Sequence, residues 1–121
     1  MVNYQMGELE GRFADIIWEN EPVSSAELAA LGEKAFGWKK TTAYTVLKRL
    51  CLKGIFQNTR GVVSSCLSRD RFYAEKSVKF VDDFCGGSLS AFVCGFCSCK
   101  KLNKKEAEEV ARIIKENTKS K

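Results

Sequence analysis

Apolar positions recur at helical spacing through most of this chain, and the places where the period fails mark the turns. Met6, Leu9, Phe13, Ile16 and Ile17 form one stripe of a first amphipathic helix ending near Trp18. Pro22, in the "NEPV" that follows, bars its continuation. Ser24 and Glu27 then have the S-x-x-E spacing of a capping box, opening a second helix with Leu28, Leu31 and Ala35 inward. In "WKKTTAYTVLKRLCLKGIF", Trp38–Phe56, the residues Ala43, Val46, Leu47 and Leu50 fall at i, i+3, i+4 and i+7, and Cys51 extends the stripe. At about 100° per residue, the opposite face carries Thr41, Thr42, Thr45, Lys48 and Arg49, with Tyr44 at its edge. Gly54 can take a left-handed conformation and close this helix.

The helical period is then lost. Ile55 and Phe56 are apolar, Asn58–Gly61 has turn chemistry, and the run from Val62 to Ser68 is β-prone, which predicts a small hairpin. It resumes from Arg69 to Phe84, with Tyr73, Phe80, Val81 and Phe84 inward, and breaks at Gly86 and Gly87. Leu89, Phe92, Val93, Phe96 and Cys97 make a further stripe. Asn103 with Glu106 is a second capping signal, opening a last helix with Ala107, Val110, Ala111 and Ile114 inward.

Three helices followed by a hairpin is the order of a winged helix-turn-helix, in which the third helix enters the DNA major groove and the hairpin lies along the backbone. The fold class expected is mainly α with a small β-hairpin wing. Residues 1–68 form the winged helix, and residues 69–121 form a helical domain. Three short helices bury little by themselves, so Tyr73, Phe80, Phe84, Leu89, Phe92, Phe96, Val110 and Ile114 require a partner surface. A second copy of the chain is expected there, because a two-fold dimer doubles the contacts of a groove-reading monomer.

Charge sharpens this picture. Over 121 residues the formal net charge is +5, and no acidic residue lies between Lys34 and Asp70. A helix face that is merely solvated usually pairs its lysines with glutamates, so the bare cationic face points to an anionic partner, double-stranded DNA. Candidate DNA contacts are Lys40, Thr41, Thr42, Tyr44, Thr45, Lys48, Arg49 and, at the hairpin tip, Arg60. The chain has no histidine and no glycine-rich phosphate loop, which removes the commonest general base and metal ligand; an enzyme is not expected, nor a cofactor. No run of eighteen apolar residues and no signal-peptide pattern is present, so no membrane insertion and a cytoplasmic location are expected. In that compartment the six cysteines are reduced by default.

"CGFCSC", Cys94–Cys99, leaves an alternative open: a metal- or thiol-responsive repressor using Cys94, Cys97 and Cys99 as thiolate ligands for zinc or copper. Around a helix, Cys94 and Cys97 lie about 60° apart but Cys97 and Cys99 about 160° apart, so one ion cannot take all three unless the helix ends early or two chains share it.

The segments "ELEGRFADIIW", "TTAYTVLKRLCLKGIF" and "FCGGSLSAFV" resemble the penicillinase repressors, which control β-lactamase and methicillin-resistance genes in bacteria. The resemblance covers nearly the whole chain. It implies a winged-helix DNA-binding domain, a three-helix dimerisation domain and repression at a palindromic operator. By position it implies groove contacts from Lys40, Thr41, Thr42, Thr45 and Lys48, with Arg60 in the wing. It also implies a membrane sensor protease system that triggers cleavage of the repressor. The Asn-Phe cleavage point of the resistance repressors falls here on Gly95 and Phe96, where the Phe is kept and the Asn is not. The wing is shorter than the family's and lacks its Tyr-Thr-Pro. Some relatives respond instead to copper through a cysteine-rich C-terminal motif.

Overall fold

A computed structural model describes residues 2–118. Among them, six helices and three strands follow one another as helix, strand, two helices, two strands and three helices. Helix α1, Glu8–Asn20, has Glu8 and Glu10 in its first turn, where carboxylates favour the helix dipole, and buries Phe13, Ala14 and Ile17. Met6 precedes the helix rather than lying in it, and the helix runs past Trp18 to Asn20, whose side-chain amide donates to the Ile16 carbonyl at 2.8 Å. Strand β1, Val23–Ser24, leads into α2, Ser25–Phe36. The Ser24 hydroxyl accepts from the Glu27 N–H at 3.0 Å, which is one half of the expected capping box. Leu28 is buried as expected, but the stripe continues through Ala29 and Gly32, while Leu31 is half-buried and Ala35 exposed. Gly32 is the reason. Atoms of Trp38 and Phe13 stand 3.4 and 3.5 Å from where a Cβ would sit, so the two rings close over the backbone itself.

Gly37, with φ +69°, turns the chain into α3, Lys40–Leu52. Ala43, Val46, Leu47 and Leu50 are its buried residues, as the spacing requires. Gly54, with φ +82°, follows the helix and sends the chain into β2, Phe56–Thr59. Strand β3, Val62–Ser65, returns antiparallel, with Phe56 opposite Ser65 and Thr59 opposite Val62. The sheet has three strands rather than the two of a lone hairpin, because Val23 pairs with Val63 and Ser24 with Val62 on the free side of β3. The result is a winged helix-turn-helix with a three-stranded wing base. Its core centres on Phe13, Ile17, Leu28, Leu50, Ile55, Phe56, Val63 and Phe72, all fully buried.

Phe72 lies in α4, Arg69–Phe84, and it moves the expected domain boundary. Its ring stands 5.6 Å from Trp18 and 5.5 Å from Tyr4. The Tyr4 hydroxyl donates to Glu75, one turn further along. The first turns of α4 thus belong to the winged helix, and the compact unit ends at Val78 rather than Ser68. Tyr73, expected in the apolar stripe of the second domain, instead packs on Trp18 and Phe72 with the Arg69 guanidinium over its ring.

The second unit begins at Lys79 and contains the end of α4, then α5, Leu89–Cys99, and α6, Lys104–Glu116. Gly86 and Gly87, with φ +60° and +77°, make the expected break. Asn103 and Glu106 form a complete capping box at the start of α6, at 2.8 and 3.2 Å. Phe80, Phe84, Phe92 and Phe96 form a ladder of rings 5.1 to 6.4 Å apart, yet neither α5 nor α6 buries a single residue. Among the described residues, no single helix is long and apolar enough to cross a membrane.

Candidate nucleic-acid interface

The buried stripe of α3 fixes what points away from it. Lys40, Thr41, Thr42, Tyr44, Thr45, Lys48 and Arg49 are all exposed. Lys40, Tyr44 and Lys48 follow one another along the helix at i, i+4 and i+8, and Lys48 reaches the centre of the outward face. Thr41, Thr42, Thr45 and Arg49, with Leu9, Glu10, Trp38 and Val46, line an open groove of about 460 Å³ between α3 and the start of α1. Leu52, 78% exposed, continues the outward face beyond Lys48 and was not expected there. Its position one turn past Lys48 was visible, but an apolar residue at a helix end carries no signal of its own.

The Thr45 hydroxyl donates to the Thr41 carbonyl at 2.8 Å. Its proton is engaged within the helix, and its oxygen remains open as an acceptor. The cations of this face are not engaged. Ion pairs among the described residues join Lys53 to Glu10, Arg69 to Asp15, Arg71 to Glu75, Lys79 to Asp83 and Arg112 to Glu116. Lys40, Lys48, Arg49 and Arg60 take part in none of them.

Arg60 and Gly61 are the two central residues of the β2–β3 turn, with φ +54° and +84°. Both positive values make a type I′ turn, which matches the twist of the flanking strands. The Asn58 side-chain oxygen accepts from the Gly61 N–H at 2.9 Å and holds the turn closed. Arg60 is therefore presented at the extreme tip of the wing, in a conformation that Asn or Gly usually takes.

The remaining candidates are placed as follows. Phe80, Phe84, Leu89, Phe92, Phe96, Val110 and Ile114 all lie exposed in the second unit, from 36% for Phe92 to 71% for Phe84, and Val93 and Ile113 join them. Gly95 and Phe96 sit inside α5, where the Lys100 N–H donates to the Phe96 carbonyl at 2.9 Å and the Ser98 hydroxyl to the Gly95 carbonyl at 2.7 Å. Cys94, Cys97 and Cys99 lie on the same uninterrupted helix. Among the described residues, no group of three or more His, Cys, Asp or Glu is placed to hold a metal ion, so the metal-responsive alternative finds no support.

Comparison with known proteins agrees with this geometry. The chain is 24% identical over 117 residues to the penicillinase repressor of Bacillus licheniformis, covering 93% of this chain and 91% of that protein. It is 27% identical over 109 residues to the penicillinase repressor of Staphylococcus aureus, covering 87% and 86%. The family model for penicillinase repressors matches residues 6–116, from the segment before α1 to the end of α6. The chain belongs to the penicillinase repressor family, a family of transcriptional repressors rather than of enzymes.

Proposed function

We propose that this protein is a homodimeric, sequence-specific DNA-binding repressor that reads a palindromic operator, of the kind that controls β-lactamase genes. The observation that carries the reading is the outer face of α3. It presents seven polar or aromatic residues and the wing presents Arg60, its cations have no ion-pair partner among the described residues, and no acid lies in the sequence from Lys34 to Asp70. Short hydroxyls and long cations on one helix suit a major groove, where lysine and arginine reach phosphates and guanine edges and threonines reach backbone or base edges. Arg60 reaches the adjacent phosphate backbone.

The second unit supplies the dimer. Its phenylalanine ladder and the apolar face of α6 are open to solvent in the single chain, and a unit with no buried residue among those described does not hold itself together. A second copy covering the same face gives a two-fold pair, and a two-fold pair requires a palindrome. Acting on DNA places the protein in the cytoplasm of a bacterium.

The test is selection of a duplex from a random pool by the full chain, followed by footprinting and gel shifts over a salt series. A palindromic site bound by two chains with a steep salt dependence is expected. Selection of no sequence, or binding that ignores salt, sinks the reading.

A further inference from the structure

Three threonines stand on the outer face of α3, and one of them differs from the others. The Thr45 hydroxyl donates to the Thr41 carbonyl at 2.8 Å, one turn back along the helix, while Thr45 itself is exposed. Among the described residues, the hydroxyls of Thr41 and Thr42 make no such bond. A free threonine hydroxyl is ambivalent. It turns to donate or to accept, so it pairs with any base edge and selects none. Thr45 has its single proton engaged inside the helix and offers only lone pairs outward.

Its place makes that polarity matter. Thr41, Thr45 and Lys48 lie within about 60° of one another around the helix axis, on the side opposite the buried stripe of Ala43, Val46, Leu47 and Leu50. Thr45 is near the middle of the thirteen residues of α3. A side chain this short touches only what the helix lies against. For a helix seated in a major groove, that is the floor of base edges, whereas the longer Lys48 and Arg49 also span to phosphates.

We propose that Thr45 is a specificity-determining residue of this face, a hydrogen-bond acceptor that selects a base carrying an exocyclic amino group, adenine or cytosine, in each operator half-site. This rests on the DNA-binding reading above and gives it a chemical polarity at one position. In the major groove the amino groups of adenine and cytosine are donors, whereas guanine O6 and thymine O4 are acceptors. An amino group adds a hydrogen bond to Thr45 and leaves the one to Thr41 in place. A carbonyl edge at the same point meets a lone pair, unless the hydroxyl breaks its helical bond and turns outward. That exchange trades one hydrogen bond for another and gains nothing net. The discrimination is therefore the net value of one hydrogen bond, roughly three- to tenfold in affinity.

The experiment deletes amino groups from the DNA and the acceptor from the protein. The full chain first selects a duplex from a random pool. In that duplex each adenine is replaced, one at a time, by the purine deoxynucleoside that lacks the amino group, and each cytosine by the corresponding pyrimidinone deoxynucleoside. Affinities are measured for the unaltered chain, Thr45→Val and Thr45→Ser. Valine keeps the shape and removes the oxygen, and serine keeps the acceptor. At one position in each half-site, amino deletion should cost the unaltered chain and Thr45→Ser roughly three- to tenfold more than it costs Thr45→Val. The comparison with valine cancels what the missing amino group does to base pairing itself. Whether the coupled base is adenine or cytosine identifies the amino group that is read. Equal costs in all three chains at every position overturn the proposal and leave the DNA-binding reading standing, and a Thr45→Ser chain that follows Thr45→Val does the same. A full chain that selects no duplex overturns the DNA-binding reading, and the role of Thr45 with it.

Discussion

Lys53, at the end of α3, donates its ammonium to the Glu10 carboxylate of α1 at 2.7 Å, with only 14% and 8% of the two side chains exposed. The same ammonium donates to the Gln5 carbonyl, and the same carboxylate oxygen accepts from the Gly7 N–H at 3.3 Å. The other carboxylate oxygen of Glu10 is buried with no partner. This pair locks the end of α3 to the start of α1. Removing one member leaves a charge in the interior. Lys53→Ala should therefore destabilise the fold by ~3–5 kcal/mol, while Glu10→Met with Lys53→Met should cost far less because neither charge remains. Urea unfolding of both variants checks this, and equal losses in the two would disprove it.

Arg60 sits at φ +54°, where a Cβ is unfavourable. Its place there is a compromise between the turn and the charge. Arg60→Asn should suit the type I′ turn better and raise stability by about 0.5–1 kcal/mol. The same change should weaken operator binding and lower the slope of its salt dependence by about one, as loss of one phosphate contact does. Thermal unfolding and a salt series of gel shifts read the two effects on the same protein. A stabilised variant with unchanged affinity would remove Arg60 from the interface.

The Tyr4 hydroxyl and the Arg71 guanidinium both donate to Glu75, the second at 2.6 Å. Tyr4 first, and Arg71 after it, hold the Glu75 carboxyl below its ordinary 4.5. The same hydrogen bond pushes the Tyr4 phenol above its ordinary 10.0. A depressed carboxyl stabilises the fold above pH 4.5 and loses that contribution as pH falls through the folded value. A raised phenol stabilises below pH 10.0 and loses its part as pH rises through the folded value. Tyr4→Phe should weaken the acid-side loss and remove the alkaline one. Denaturant midpoints measured across pH test this; identical profiles for the two chains would contradict it.

Much of this was legible in the sequence, and the exceptions have a common cause. The α3 stripe of Ala43, Val46, Leu47 and Leu50 could be read because the helix and its burial share one period. The exposed outer face, Lys40 to Arg49, followed from it by geometry. Strand β1 could not be read, because two residues carry no period and Val23 is a strand only through its pairing with Val63. Glu10 reads as an exposed acid until Lys53 arrives from 43 positions away. Phe72 and Tyr73 are neighbours about 100° apart on one helix, and both are aromatic. Only the location of Trp18 and Tyr4 decides that Phe72 is the buried one.

Lys48 lies near the centre of the outward face of α3 and should be the most costly contact to remove. Lys48→Ala should lose ~1–3 kcal/mol at one base pair where it makes a specific base contact, and uniformly across sequences where it meets phosphate. Binding to a panel of single-substituted operators distinguishes the two patterns. Unchanged affinity in Lys48→Ala combined with Arg60→Ala would refute docking through α3 and the wing.

The position of Phe72 makes the last prediction a matter of ten residues. A fragment ending at Ser68 loses Phe72, which is fully buried against Trp18 and Tyr4, and loses the Tyr4–Glu75 bond. Deleting a buried phenylalanine side chain alone costs ~3–5 kcal/mol, a large share of what a small domain has. A fragment ending at Val78 keeps all of these contacts. The longer fragment should fold cooperatively and the shorter should be marginal or unfolded, by circular dichroism and denaturant titration. The longer fragment also lacks Phe80, Phe84, Phe92 and Phe96, so it should sediment as a monomer and bind an operator far more weakly than the full chain, having lost the linked second site. In the full chain, Phe92→Asp places a charge on the ring ladder and should dissociate the dimer. A Val78 fragment that still sediments as a dimer would move the dimer contact into the winged helix and overturn its assignment to the phenylalanine ladder.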